Sequence, residues 1–234
     1  MKVTQEPTTL LKGLGDFNFQ VPLYQREYSW ELEQVSDLFY DIDASSDSDG
    51  HFLGSLLLYS TDESNRLMEV IDGQQRLTTL FLLLYSIKQA INGTDYTKAI
   101  ETINGLLYQR SRKLVVDDKG EEPRLTTGKR DRRLFRAILR GEEIDRHKDG
   151  RVKSHRLLLN AFEAFFLARI EKMKEERGIE GVIEFADKVI ASEFIVMTAE
   201  KSSDKILLFK TLNARGIELS QSDLIKNEVC NSPK

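Results

Sequence analysis

The chain has 234 residues, of which 40% are hydrophobic and 31% charged, and its formal net charge is −4. These values predict a well-solvated globular protein with enough apolar residues for one large domain or two small ones. The single cysteine, Cys230, excludes a disulfide framework and a cysteine-built zinc site within the chain. The N-terminus lacks the layout of a signal peptide, and the longest apolar run, residues 80–85, is too short to cross a bilayer. We therefore expect a cytoplasmic protein without membrane contact.

Charge is distributed unevenly along the chain. Residues 110–156 contain 16 Lys/Arg against nine Asp/Glu, a local net charge of +7. A basic segment in an acidic protein can contact phosphates. Because acids are interleaved with these cations, a solvated helical face is the plainer interpretation.

The first part of the chain is predicted to combine strands with helices. We expect a short helix or turn and then a strand up to about residue 21, followed by an exposed loop over residues 23–28. Ser29 is a favourable helix N-cap, and apolar residues then recur at helical spacing. Those residues are Leu32, Val35, Leu38, Phe39 and Ile42. Residues 52–59 and 66–71 predict two strands, and residues 77–91 predict a strongly apolar helix after a tight loop at residues 72–76.

Beyond residue 93 the pattern is mainly helical. Helices are predicted over residues 94–108, 129–139, 152–176 and 181–190, with Gly178 ending the third. Residues 113–116 and 124–127 suit a small hairpin, residues 193–199 a returning strand, residues 204–212 a helix, and Ser220 the cap of a final helix. The sequence predicts an α+β fold, in which a small sheet with flanking helices comprises residues 1–93 and 191–234. Residues 94–190 then form a large, mostly helical insertion.

The run Asp72-Gly73-Gln74-Gln75-Arg76 leaves a predicted strand and enters a helix. Unpaired N–H groups at a helix start attract anions, and a glycine lets a ligand approach closely. Arg76 suits phosphate oxygens, Asp72 can hold a divalent metal or orient a water, and the two glutamines offer amide groups. A polyphosphate site is one interpretation. The other is an ordinary turn, with Asp72 as the N-cap and Arg76 paired with a nearby acid.

A second cluster precedes the first long predicted helix: Pro22-Leu23-Tyr24-Gln25-Arg26-Glu27-Tyr28-Ser29-Trp30. Aromatic faces beside an arginine can stack on a nucleobase, and a glutamine can read a polar edge. Half-buried packing explains Tyr24, Tyr28 and Trp30 equally well. Gln25 and Arg26 favour a binding role, because apolar packing requires neither.

A third cluster spans residues 209–226. Asn213 and Gly216 suit a helix end, after which Arg215 and Lys226 would converge on phosphates. A plain link between two helices, with two surface cations, is the alternative.

Together these clusters resemble the N-terminal domain of GmrSD-type modification-dependent restriction systems and their phage-defence relatives. The cluster at residues 22–30 is similar to the opening motif of that family, Phe52-Leu53-Gly54-Ser55 to its strand, and IDGQQRLTTL at residues 71–80 to its signature. Residues 213–216, 219–220 and 223–226 resemble its closing motif. The blocks occur in the order of the family and extend from about Pro22 to Asn227.

The resemblance implies a fold similar to ParB and sulfiredoxin, and binding and hydrolysis of a nucleoside triphosphate (GTP, ATP or CTP) at the DGQQR loop. It also implies that the domain senses modified DNA, such as a glucosylated base or a phosphorothioate backbone, and controls a nuclease. In such proteins the nuclease is a separate C-terminal HNH-type domain. This chain has no HNH-like pair of histidines, so we expect a truncated protein or a stand-alone sensor, with a homo-oligomer left open.

We therefore predict a nucleoside triphosphatase in which Asp72, Gln74, Gln75 and Arg76 are catalytic and Asp72 holds Mg²⁺ or a water. The predicted phosphate-binding residues are Gly73, Arg76, Gln25, Arg26, Arg215 and Lys226. The predicted contacts to DNA or its modification are Tyr24, Gln25, Arg26, Tyr28 and Trp30. A reader of modified DNA that hydrolyses nothing is the main alternative. A nuclease active in this chain alone is disfavoured, because no nuclease metal cluster is recognisable.

Overall fold

The computed structural model describes residues 3–46, 51–62, 66–109 and 121–199. As predicted, the fold is α+β, and its strands form one mixed sheet in the order β1-β6-β3-β4-β2-β5. The strands are β1 (Val3–Thr9), β2 (Asn18–Gln20), β3 (Phe52–Asp62), β4 (Leu67–Asp72), β5 (Leu125–Thr126) and β6 (Glu193–Ala199). The β1/β6 and β3/β4 pairs are antiparallel, and the other three pairs are parallel.

The helices lie between and after these strands. They are α1 (Leu10–Asp16), α2 (Leu32–Ala44), α3 (Gln74–Ile91), α4 (Thr97–Leu107), α5 (Arg132–Leu139), α6 (Arg146–Asp149), α7 (Lys153–Leu159) and α8 (Ala168–Ala191). A π-helical segment, Asn160–Leu167, joins α7 to α8. Within the part of the chain that is described, no helix combines the length and apolar character that a membrane crossing requires.

Helix α3 is the centre of the core. Fourteen of its 18 residues are buried, as expected for a helix that is apolar on all sides. Side chains of β3 alternate across the sheet, so Leu56 and Leu58 join the main core while Leu57 packs with Ile71 in a small cluster on the opposite face. The main core includes residues from both parts of the predicted domain division, whose boundaries at residues 93 and 191 stay a prediction.

The apolar patterns predicted the central elements correctly. Strands β3, β4 and β6 and helices α3 and α4 are all confirmed. The interruption at Gly178 is also confirmed, because this residue has a φ of 72° and breaks the helical conformation inside α8. The predicted helix at residues 152–176 is also confirmed, as α7, the π segment and the part of α8 before Gly178, although the sequence did not indicate the π segment.

Near the N-terminus the predictions are partly right. The predicted short helix and the strand after it are confirmed as α1 and β2, but β1, which precedes them, was not predicted. Pro7 is tolerated in β1 because β1 is an edge strand. Helix α2 starts after Glu31 and not after Ser29, since Gln34 Oε1 accepts the Glu31 N–H at 2.9 Å and closes the first turn. The loop at residues 23–28 is not simply exposed, because two of its residues are buried.

The remaining predictions fall on or near residues outside the described ranges. Strand β5 pairs in parallel with β2, whereas the sequence suggested a hairpin with residues 113–116, which lie outside the described residues. The predicted helix at 204–212 and the final capped helix also lie outside the described residues. So do Cys230 and the third cluster, including Arg215 and Lys226.

Candidate functional site

The candidate site lies where β4 turns into α3. Asp72 is the last residue of β4, Gly73 precedes the helix, and the next three residues form its first turn. The predicted loop at residues 72–76 is therefore shorter than expected, and the predicted alternative role of Asp72 as the N-cap is taken by Gly73. Gly73 provides no side-chain cap, and among the described residues no other side chain accepts a hydrogen bond from the first N–H groups of α3, so these groups can attract an anion.

Gly73 is required at this corner for two separate reasons. Its φ of 92° lies in the left-handed region, which other residues adopt only with strain. A Cβ atom built on Gly73 would also come within 2.4 Å of Leu56 Cδ2 in the core. The tight passage from strand to helix thus depends on the absence of a side chain.

Arg76 lies half-buried against the backbone of β3. Its Nη1 donates a hydrogen bond to the Ser55 carbonyl oxygen at 3.2 Å. The guanidinium packs on Gly54, where an added Cβ would lie 3.1 to 3.2 Å from three of its atoms. Gly54 has a φ of 85° and lies at a register shift between β3 and β6, so this bulge makes room for the arginine.

The electrostatic environment of Arg76 is unusual for a cation. Burial lowers the pKa of Arg76, and the nearby charge of Asp72 partly opposes that shift. Among the described residues, no carboxylate lies within ion-pair distance of the guanidinium, and Ser55 is its one hydrogen-bond partner. A guanidinium has five N–H donors, so most of its donors are unused.

The two glutamines of the motif bind the backbone of a second segment, residues 22–30, which we call the site loop. Gln75 Oε1 accepts the Ser29 N–H at 2.8 Å, and Gln75 Nε2 donates to the Glu27 carbonyl at 3.0 Å. Gln74 Nε2 donates to the Arg26 carbonyl at 3.1 Å. Both glutamines are buried, so these bonds fix the site loop on the start of α3.

Gln25 connects the site loop to β4. Its Nε2 donates to the Ile71 carbonyl at 2.7 Å, and its Oε1 accepts from Gln74 Nε2 at 3.2 Å. The neighbouring Arg26 side chain is exposed. The structure therefore brings together Gln25 and Arg26 with residues 72–76, which are 46 or more positions away in the sequence.

The aromatic residues of the site loop pack mainly inward. Tyr28 is 5% exposed, and its hydroxyl is 2.8 Å from Thr79 Oγ1 on α3. Tyr24 is also buried, and burial raises the pKa of both phenols above the usual value. Trp30 is partly buried against the core. Tyr28 in particular presents little ring surface on which a base could stack.

A buried polar network, which the sequence did not indicate, holds the backbone of the site loop on its buried side. Asp131 Oδ2 accepts the Tyr28 N–H at 2.7 Å, and Asp131 Oδ1 accepts the Ser154 hydroxyl at 2.6 Å. His155 lies beside Ser154, with Nδ1 2.9 Å from Asp149 Oδ1. Asp131 and Tyr28 are 103 positions apart, so no local pattern could have indicated this contact.

The metal prediction rests on Asp72 alone. The described residues contain no group of three or more His, Cys, Asp or Glu side chains that could hold a metal ion. Mg²⁺ is commonly held by one or two carboxylates together with substrate phosphates and waters. Asp72 fits a Mg²⁺ ion that is also bound by substrate phosphates and waters. It does not fit an ion that is held by protein ligands only.

Comparison with known protein families gives a match that covers most of the chain. The family described as GmrSD restriction endonuclease, N-terminal domain, matches residues 8–230. No curated protein matches the chain significantly. The family match spans the corner, the site loop and the buried network.

Proposed function

The chain belongs to the family of GmrSD restriction endonuclease N-terminal domains, and we propose that it binds and hydrolyses a nucleoside triphosphate where β4 meets α3. Membership of a restriction endonuclease family supports a role in phage defence. The nucleotide, its hydrolysis and the sensing of modified DNA are the parts that we propose beyond the family itself.

The observation that carries this proposal is the environment of Arg76. A partly desolvated cation is costly when its nearest acid, Asp72, acts on it without forming an ion pair, and an anionic ligand would lower that cost. Arg76 keeps most of its donors unused beside the uncapped start of α3, so two independent anion-attracting groups lie at one corner. Phosphate oxygens satisfy both kinds of donor at once.

We assign the remaining roles by what each side chain already contacts. Asp72 would hold Mg²⁺ together with the phosphates, and the ion would supply charge neutralisation during phosphoryl transfer. Arg26, exposed on the site loop, would approach the phosphates or the DNA modification. Gln74 and Gln75 would act as positioning residues, because their amide groups already bind the site loop.

The site loop would connect nucleotide binding to the reading of DNA. Arg26 and Trp30 retain exposed surface, so they are the better candidates for contact with a modified base or backbone than the two buried tyrosines. The glutamine hydrogen bonds link this loop directly to the first turn of α3. A change at the phosphates would thereby reach the loop, and through it a nuclease domain of the restriction system.

The test is phosphate release by the purified chain with Mg²⁺ and GTP, ATP or CTP. We expect turnover of at least one nucleotide, and its loss in Arg76→Ala. Lys172→Ala is the matched charge control, because Lys172 is exposed on α8 and far from the candidate site. Lys174, two residues later, donates to the Ala90 carbonyl, near the C-terminal end of α3. Ala90 lies about 24 Å from Gln74 along the helix axis, because 16 residue steps separate them. Full turnover by Arg76→Ala would refute the site.

A reader of modified DNA that hydrolyses nothing is the second candidate. The same unused donors of Arg76 would then bind a phosphate of the DNA backbone. This alternative predicts no phosphate release from any nucleotide, together with DNA binding that Arg76→Ala weakens and Lys172→Ala does not. Phosphate release that depends on Arg76 would exclude it.

A further inference from the structure

The ends of three helices meet around the buried network. Asp131, just before α5, accepts the hydroxyl of Ser154 on α7, while Asp149 of α6 forms an ion pair with Arg133 on α5. His155 bridges the network, with Nδ1 on Asp149 and Nε2 on the Arg130 carbonyl. The network thus fixes α5, α6 and the start of α7 against one another, so their exposed side chains keep a defined arrangement.

The solvent side of this assembly is strongly basic. Residues 129–156 contain 11 Lys/Arg against five Asp/Glu, and two of those acids, Asp131 and Asp149, are buried. Six cations are exposed and have no acidic partner among the described residues, and we call them the cationic face. They are Lys129, Arg132, Lys148, Arg151, Lys153 and Arg156. On α8, in contrast, the exposed Lys172 is paired with Glu176.

The cationic face adjoins the site loop. Arg130, between two of its members, forms an ion pair with Glu27 of the loop at 2.5 Å. The backbone of Tyr28 is bonded to Asp131 from beneath. The exposed Arg26 is next to Glu27 in the chain, so this ion pair places the cationic face beside a loop that carries a further exposed cation.

We propose that the cationic face binds the phosphate backbone of duplex DNA and places the duplex against the site loop. This inference deepens the proposed function, on which it rests for the role of the loop. Unpaired cations spread over three fixed elements match an extended row of phosphates better than one compact anion. Among the described residues, the large exposed hydrophobic side chains are Leu23, Leu32, Tyr40 and Phe52, and none lies in 129–156. Membrane surfaces and protein partners usually require such apolar anchors.

The experiment measures binding of the whole chain to a fluorescent duplex by anisotropy over a range of salt concentrations. A triple variant, Arg132→Gln/Lys153→Gln/Arg156→Gln, removes three charges from the cationic face. Each phosphate contact contributes about 0.9 to the slope of log K against log salt, so we expect the slope to become shallower by roughly 2 to 3. Affinity at moderate salt should fall on the order of tenfold or more.

The control variant, Lys12→Gln/Lys98→Gln/Lys172→Gln, changes net charge equally at exposed lysines on α1, α4 and α8. We expect it to keep both slope and affinity. Equal losses in the two triple variants, no loss in either, or tight binding of polyglutamate in place of DNA would each overturn the inference. Thermal melts of both variants should match the unsubstituted chain, since all six side chains are exposed.

The two proposals fail separately. Hydrolysis measured without DNA should be unchanged in the cationic-face variant and lost in Arg76→Ala. A chain that binds DNA through the cationic face but releases no phosphate would refute only the hydrolysis. A chain that hydrolyses nucleotide but binds DNA independently of the cationic face would refute only the present inference.

Discussion

Replacing Gln75 separates a positioning role from a catalytic one. Gln75→Leu keeps the approximate size of the side chain but removes the acceptor for Ser29 and the donor for Glu27. Both bonds are only part-buried, so water can partly replace them, and each should contribute about 1 kcal/mol. We expect the free energy of unfolding to fall by roughly 2 kcal/mol.

The variant Gln75→Glu should have a free energy of unfolding that depends on pH. The introduced carboxylate still accepts from Ser29 but faces the Glu27 carbonyl, where the amide used to donate. Burial and that carbonyl raise the pKa of the introduced carboxyl in the folded state. Stability of this variant should therefore fall as pH rises through that raised pKa, and recover at lower pH, where the protonated carboxyl donates to the carbonyl.

The assay is urea unfolding of each variant, combined with phosphate release. Gln89→Leu is the matched control, because Gln89 is near the other end of α3 and donates one bond to the Tyr85 hydroxyl. It should lose about half as much stability as Gln75→Leu. If Gln75→Leu unfolds like the unsubstituted chain but has lost hydrolysis, Gln75 acts on the substrate and the positioning argument is wrong.

Three further predictions concern the corner and the network beneath the site loop. Gly73→Ala should reduce stability by about 2 to 4 kcal/mol in urea unfolding, because the methyl group meets a core leucine and the backbone keeps a positive φ. A stability equal to that of the original glycine would show that the corner can rearrange. Arg76→Lys keeps the charge but loses the planar fork, so calorimetry should show nucleotide binding weakened with little change in melting temperature. Unchanged affinity for the nucleotide would indicate that the site requires only a positive charge at residue 76. Asp131→Ala leaves the Tyr28 N–H and the Ser154 hydroxyl unpaired and should cost roughly 3 kcal/mol, whereas Asp131→Asn can present its oxygen to Tyr28 and its amide to Ser154 and should cost less. Equal losses in the two variants would indicate that the negative charge matters more than these bonds.

The sequence predicted the central architecture because its signals there are local. The apolar runs of β3, β4 and α3 follow one another within 40 residues, and their periodicities of two and 3.6 are visible without any partner. The strand β1 was missed because its pattern is weak and its pairing partner, β6, is almost 190 positions away. Strand formation at such an edge depends on a neighbour that no local window contains.

In the candidate site too, some features were predictable from local sequence and others depended on contacts between distant segments. The sequence alone showed the residue types of the motif at 72–76, the glycine before a helix and the resemblance to a restriction family. Tertiary structure decided which atoms the glutamines bind, how exposed each aromatic residue of the site loop is, and that Asp131 binds the backbone of Tyr28. The physical reason is that backbone propensity and apolar periodicity act over a few residues, whereas a hydrogen-bond partner or a desolvated charge is defined by segments that meet only after folding.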